Sequence, residues 1–334
     1  MNNPVPFPSE KPKRVCVIGA GAMGISLAAV LGQSSEVVIV ARDHVRAEHI
    51  LRYGAVLRGF ANQSAFPHVV RNISDLQSAG PFDAIFVATK TTSINGVSDE
   101  LSPVLNSMNK MGNSPWIISF QNGIESGRSL SDRLGHQKII RMVLNYGARM
   151  THEGGVEIVQ SMPPHSIGSP NPGSHEASLM LAQVLTSGGM ETEFVEDIEP
   201  IVWTKGITNA AMNPVAALVN GSVGEVLDSP SASIVERLVR EGLQVALAEG
   251  IDLGSKIEER IWTALESARP HIPSMVEDIR AGRSSEVGQL NRQIVQHAQL
   301  SGIETPSHEL ITALIETFDW RVFKREQCTQ NDEI

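Results

Sequence analysis

An α/β domain followed by an all-α domain is the fold class that this 334-residue sequence predicts, and three observations predict it. A short apolar run, residues 15–18, leads into Gly19, Gly21 and Gly24. Strand and helix patterns then alternate as far as residue 196, and beyond residue 197 only helical periodicity remains. The first half therefore reads as a Rossmann-type domain with helices on both faces of a parallel sheet, and the second as helices alone.

Each element follows from its residues. Val15-Cys-Val-Ile18 is an unbroken β-branched and Cys run, residues 23–31 carry apolar side chains at helical spacing, and residues 36–42 read as a second buried strand. Together they make the βαβ unit of about 30 residues in which such glycines have a physical use. Gly19 permits the tight turn, Gly21 lets a phosphate approach the backbone, and Gly24 lets the helix pack on its strand. The helix N-terminus then faces an anion with unpaired N–H groups. The basic residues Lys11, Lys13 and Arg14 ahead of an apolar stretch also suggest a secretory signal, but three spaced glycines weaken such a helix and no further span follows.

A helix over 43–53, a short strand over 55–60 and a polar connection rich in Asn and Ser come next. Residues 82–88 form the next buried strand, followed by a helix over 94–110 and strands over 115–120 and 138–144. From 146 to 172, turn chemistry around Gly154, Gly155 and Pro172-Gly173 predicts short antiparallel strands added at the sheet edge. A helix over 176–185 and a strand over 191–195 complete this half. The remaining periodicity predicts helices over 198–220, 231–249, 255–268, 275–281, 286–300 and 307–323.

Composition narrows the function. The chain is 41% hydrophobic and 19% charged, as soluble globular proteins are, and has no apolar stretch long enough to span a bilayer. A net charge of −10 argues against a broad nucleic-acid footprint. Cys16 and Cys328 give no disulfide framework and suit a reducing cytoplasm. The 10 histidines show no HExxH, and there is no CxxC, so no metal site is expected and the histidines are placed on surfaces and loops. Neither a P-loop nor a GxSxG elbow is present.

Three positions follow predicted strands, where such sheets hold ligands. Arg42 closes the second strand; an acid there would bind the ribose 2′-hydroxyl of NAD, whereas an arginine pairs with a 2′-phosphate and favours NADPH. Asp43 stands about as far from the glycines as the NAD-type acid, and an arginine merely solvated at a strand end is the plain alternative, so both stay open. Lys90 could reach a cofactor ribose or a substrate carboxylate. Asn122, before Gly123, could present its amide to nicotinamide or substrate, with an ordinary Asn-Gly turn as an equal reading.

Residues 203–214 carry the sharper pattern. Lys205, Asn209 and Asn213 recur every fourth residue, and each step of four advances only about 40° around a helix, so the three side chains share one stripe. A solvated amphipathic face is the usual fate of such a stripe. Here the neighbours Ile207, Ala210, Ala211, Met212 and Val215 are so apolar that the helix reads as largely buried, and a lysine with two amides then needs partners. Asn213 also precedes Pro214, a position that disfavours helix.

With these residues in view, the chain resembles the ketopantoate reductase family over roughly residues 14–324. The likeness rests on Gly19-Ala20-Gly21-Ala22-Met23-Gly24, Ala41-Arg42, Thr89-Lys90, Gln121-Asn122-Gly123, the block from Trp203 to Pro214, and Ser274 with Asp278, Arg280 and Glu286 beyond it. The resemblance implies NADPH as cofactor, held at residues 19–24, Arg42, Lys90 and Asn122, and reduction of 2-dehydropantoate to pantoate. It implies Lys205 as general acid or electrophile at the substrate carbonyl, Asn122, Asn209, Asn213 and Ser274 as substrate ligands, and Glu286 as the group that bonds the new hydroxyl and orients Lys205. Read without the resemblance, Ser274 is a helix N-cap with Glu277 completing a capping box, and Glu286 is a first-turn acid.

The expected organisation is a disordered proline-rich leader over 1–12, an NADP-binding Rossmann-like domain over 13–196, a helical substrate and catalytic domain over 197–324 with a cleft between the two, and a polar tail over 325–334. The expected partner is a small 2-oxo acid, with neither nucleic acid nor membrane and with a homodimer left open. Three alternatives stand beside this reading: a reductase of another branched or aromatic 2-oxo acid, a member of the β-hydroxyacid dehydrogenase family, whose pattern lacks Ser274 and Glu286 at this spacing, and a non-catalytic NADP-binding sensor.

Overall fold

The structure, a computed structural model, describes residues 12–59 and 61–332, with the side chains of residues 323 and 325–332 left aside. The expected leader up to residue 11, and Phe60 at the end of the expected third strand, lie outside the described residues. The chain divides into two compact units: one runs to Gln121 and resumes over Ser126–Ile198, and the other takes Asn122–Glu125 and everything from Glu199 onward. Among the described residues, no helix is long and apolar enough to cross a membrane.

The first unit opens with β1 (Arg14–Ile18), α1 (Ala22–Leu31), β2 (Glu36–Val40), α2 (His44–Tyr53), β3 (Ala55–Gly59), β4 (Gln63–Ala65) and β5 (His68–Val70). It continues through α3 (Leu76–Ala79), β6 (Ala84–Val87), α4 (Ile94–Lys110), β7 (Trp116–Ser119), α5 (Ser126–Leu134) and β8 (Ile139–Val143). It ends with β9 (Tyr146–Met150), β10 (Val156–Ser161), β11 (His165–Gly168), α6 (His175–Ser187) and β12 (Thr192–Val195). Eight strands form one sheet in the order β12-β11-β8-β7-β6-β1-β2-β5, parallel except where β11 meets β8.

Side-chain alternation explains why these strands read as unbroken apolar runs. Val15 and Val17 enter one buried cluster with Leu27 and Leu31 of α1 and Leu181 and Leu185 of α6. Cys16 and Ile18 point the other way, into a cluster with Leu101 and Leu105 of α4 and Leu130 of α5. The short strands expected at the sheet edge divide between two places. β11 joins the main sheet antiparallel to β8, while β9 and β10 form a second sheet in the order β4-β3-β10-β9. Local patterning shows that such strands exist but not which partner they take.

The second unit comprises α7 (Glu199–Val219), α8 (Val223–Leu227), α9 (Ala232–Ala248), α10 (Ile257–Ser267), α11 (Ser274–Arg280), α12 (Asn291–Ser301) and α13 (Pro306–Asp332) around its own core. α7 lies at the centre of this core, packed by α9 and α11. A Cβ on Gly242 of α9 would come within 3.0 Å of the Ile207 side chain, so α9 approaches α7 closely.

Three expectations need correction. α13 continues to Asp332, so residues 325–332 of the expected polar tail are helical backbone, as a stretch without Gly or Pro after residue 306 allows. α12 begins at Asn291 rather than 286, because Val287–Gln289 form a 3₁₀ turn first. The histidines are not all on surfaces or loops: His165 in β11, His297 in α12 and His308 in α13 are buried.

Candidate functional site

In the first unit, the site residues gather where β1, β2 and β6 end. The N–H of Gly19 donates to the Val40 carbonyl and that of Ala88 to the Ile18 carbonyl, which ties the three strand ends together. Gly19 takes φ +114°, a conformation that favours glycine. A Cβ on Gly24 would sit 1.9 Å from the Gly19 carbonyl oxygen, so turn and helix touch backbone to backbone. Gly21 differs, because a Cβ there would meet nothing within 4 Å. Gly21 is the N-cap of α1, without a side-chain cap and without an acid in the first turn, so the helix leaves its N-terminal N–H groups open to an anion. Ala22 and Met23, half-buried, begin that helix, and Ala20 beneath the turn is buried.

β2 ends at Val40, which leaves Arg42 in the loop beyond the strand rather than at its end. The exposed Arg42 guanidinium pairs with Glu100 of α4 at 2.6 Å. Asp43 caps α2, its Oδ1 accepting the Arg46 N–H at 2.8 Å. Two further arginines that the sequence reading did not single out stand at this corner. Arg46 lies 3.4 Å from the Ala20 carbonyl of the glycine turn, and Arg71, next after β5, donates to the Arg42 carbonyl. Lys90 is exposed after β6, in the loop that the Gln121 amide holds by donating to the Thr89 carbonyl at 3.0 Å.

In the second unit, α7 runs unbroken through Asn213-Pro214, as the helix expected over 198–220 requires, although that position disfavours helix. Pro214 cannot give the Ala210 carbonyl its usual i+4 N–H. The Asn291 amide donates to that carbonyl instead, at 2.7 Å, and contacts His308 Nδ1 at 3.1 Å. Because His308 Nε2 lies 2.9 Å from the Leu238 carbonyl, the proton sits on Nε2 and Nδ1 accepts. Burial pushes this imidazole down to about 4, so it is neutral.

Lys205, Asn209 and Asn213 thus occupy successive turns of one continuous helix. Ile207, Ala210, Ala211 and Met212 around them are buried, while Lys205 and Asn209 are half-buried. Thr204 and Thr208, which flank the stripe, turn their hydroxyls back to carbonyls four residues earlier, each at 2.7 Å. The amides of Asn209 and Asn213 have no such bond among the described residues, although Asn213 is only 9% exposed.

Glu286 precedes the 3₁₀ turn and is half-buried, and its Oε2 accepts a hydrogen bond from Asn122 Nδ2 at 2.9 Å. The structure therefore joins two site residues that lie 164 positions apart. Ser274 is exposed and is the first residue of α11; Pro273 occupies the cap, so the capping-box reading does not hold. Arg280 of α11 donates to Asn220 Oδ1 at 2.6 Å, just past the end of α7.

Residues 15–171 match the family model for ketopantoate reductase PanE/ApbA, and residues 197–319 match the model for its C-terminal domain. A 2-dehydropantoate 2-reductase of Pyrococcus horikoshii is 29% identical over 303 residues, covering 90% of this chain and 96% of that protein. A PanE/ApbA family ketopantoate reductase from Ralstonia eutropha, solved by crystallography, is 22% identical with a TM-score of 0.81 and covers 92% of this chain and 99% of its own. A solved D-mandelate dehydrogenase with NADH and anilino(oxo)acetate is 21% identical with a TM-score of 0.80, over 92% and 99%. These two solved structures share the fold.

Proposed function

We propose a reaction for this chain on one premise: it belongs to the ketopantoate reductase family. It is an oxidoreductase acting on a CH–OH group. The reaction we assign is NADPH-dependent reduction of 2-dehydropantoate to pantoate, with Lys205 as the general acid. The observation that carries this reading is the pair of amides, Asn209 and Asn213, without a hydrogen-bond partner among the described residues and in line with Lys205, on a helix where Thr204 and Thr208 bond back to their own backbone. Polar groups left so in a mostly apolar setting are held for a ligand with its own carbonyl, carboxylate or hydroxyl.

The first unit fits a dinucleotide. The open face of Gly21 and the uncapped start of α1 suit a pyrophosphate, and residues 19–24 would hold it. Arg42, with Arg46 and Arg71 beside it, supplies positive charge for a 2′-phosphate, while Asp43 is spent on capping its own helix, which favours NADPH over NADH. Lys90 and Asn122 would hold the ribose and the nicotinamide side. When bound, the reduced nicotinamide supplies a hydride to the carbonyl carbon of the 2-oxo acid.

The chain's own residues do the rest. The Lys205 ammonium stabilises the charge that grows on the carbonyl oxygen and gives it a proton. Asn122, Asn209, Asn213 and Ser274 hold the substrate's polar groups, and Glu286 accepts a hydrogen bond from the new hydroxyl. The Asn122 amide fixes the direction of that carboxylate.

The test is NADPH and NADH oxidation across a panel of 2-oxo acids, branched and aromatic members included. The expected result is preference for NADPH with ketopantoate, and a fall in turnover of roughly two orders of magnitude in Lys205→Ala. Near-normal turnover in that variant removes Lys205 from its role. A clear preference for an aromatic acid moves the substrate, and the absence of turnover with every acid points to a sensor.

A further inference from the structure

Residues Asn122–Glu125 form a strap: the chain leaves the first unit after Gln121, contributes four residues to the second, and returns at Ser126. Covalent neighbours on both sides belong elsewhere, so only non-covalent chemistry keeps the strap in place. Every one of its residues is fastened to the stretch that carries Glu286 and α12. Asn122 Nδ2 donates to Glu286 Oε2 at 2.9 Å. Gly123, at φ +99°, lies so close to Gln289 that a Cβ would stand 2.4 Å from its carbonyl oxygen. The N–H groups of Ile124 and Glu125 both donate to Gln293 Oε1, at 2.9 and 3.2 Å. The Ile124 side chain is buried against Gly206, next to Lys205. Glu125 Oε1 lies 2.9 Å from His297 Nε2. Gln293 and His297, four residues apart on α12, share one side of that helix, and Glu286 and Gln289 come from the turn just before it.

His297 is buried and stands between two acids. Its Nδ1 is 3.3 Å from Glu249 Oε2, at ion-pair distance, and Glu249 Oε1 accepts the Ser301 hydroxyl. From α7 the Trp203 ring meets the imidazole edge-on at 5.1 Å between centroids and brings no charge. Among the described residues, Glu125 from the strap and Glu249 just past the end of α9 are the titratable groups that face the ring, and Gln293 on its own helix is neutral.

The geometry points to Glu125 and His297 as positioning residues: an imidazolium held between Glu249 and Glu125 draws the strap against α12 and so aims the Asn122 amide and the Glu286 carboxylate at the substrate. The aiming rests on the reductase reading of Asn122 and Glu286; the strap itself does not. The hydrogen bond to Glu125, aided by the charge of both acids, holds the imidazole above its ordinary value against the opposing effect of burial. The charged, tightened form therefore prevails at low pH and is lost as pH rises through that raised value.

The test uses full-length wild type, Glu125→Gln, His297→Gln and the double variant. Amide hydrogen exchange at Ile124 and Glu125, corrected for its intrinsic pH dependence, is expected to quicken about ten-fold as His297 deprotonates, and equally at neutral pH in Glu125→Gln, where the His297 NMR titration moves down. With ketopantoate as probe, each single variant is expected to raise the KM for the 2-oxo acid about ten-fold with little change in the KM for NADPH, and the double variant is no worse than either single one. Unchanged exchange in Glu125→Gln, additive losses in the double variant, or equal effects on both KM values would overturn the proposal. If His297→Gln does not fold, Glu125→Gln, an isosteric change at a partly exposed site, supplies both readouts. If wild type turns over no 2-oxo acid, the reductase reading fails while the exchange measurement still decides the strap.

Discussion

Gly21 and Gly24 are three residues apart on one turn and answer to different constraints. At Gly24 a methyl group would meet the Gly19 carbonyl oxygen at 1.9 Å, and backbone cannot step aside as a side-chain tip can. Gly24→Ala is therefore expected to cost about 1–3 kcal/mol of stability, read as a lower urea midpoint, with cofactor or without. Gly21→Ala puts its methyl into open space at the place proposed for the pyrophosphate. Its urea midpoint should match wild type, while its Kd for NADPH should rise by about ten-fold or more. A Gly21→Ala protein that binds NADPH as wild type does would move the cofactor away from this turn.

α7 holds its stripe straight through a proline because another element repairs the damage. The Asn291 amide replaces the N–H that Pro214 lacks, and His308 holds that amide in place. Asn291→Leu leaves the buried Ala210 carbonyl unsatisfied, a loss of about 1–3 kcal/mol. In a Pro214→Ala background the helix regains its own bond, so the same substitution should cost measurably less; an equal cost in both backgrounds, read from urea midpoints, would refute the repair. The same network sets an acid limit. His308 is neutral because burial lowers it to about 4 from 6.5, so the unfolded chain takes up a proton between those values and the folded one does not. Its contribution is whole above pH 6.5 and is lost as pH falls toward 4, a change of about 3 kcal/mol. Urea midpoints at neutral and acid pH should show this fall, and His308→Gln should flatten it.

For the molecule as a whole, what local spacing encodes could be read from sequence, and what distant contact creates could not. Strands β1, β2, β6, β7 and β8 were legible because burial on both faces makes each an apolar run, and α4 because its apolar stripe keeps helical spacing past Pro103. α5 was missed, since only Leu130 and Leu134 mark its buried side, and so were β4 and β5, at three residues each. Within the candidate site, the alignment of Lys205, Asn209 and Asn213 was visible as a spacing. The places of Arg46, Arg71, Glu125, Gln293 and His297 were not, because their partners lie 26 to 172 residues away and leave no local trace. The clusters of the first unit share no residue with that of the second, so each unit has its own apolar interior to lose. Cys16, fully buried at the centre of β1 with its thiol pushed up by burial, reports the opening of the first unit, and Trp203 reports the second. The proposed cofactor binds at the turn just after β1, so NADPH at about 100 times its Kd should stabilise that unit by about 2.7 kcal/mol and slow the labelling of Cys16 about 100-fold in a Cys328→Ser background. NADH at the same concentration should protect less, because Arg42, Arg46 and Arg71 have no 2′-phosphate to meet. Labelling of Cys16 that ignores both nucleotides would remove the cofactor from the first unit, and equal protection by the two would remove the arginine corner from the choice between them.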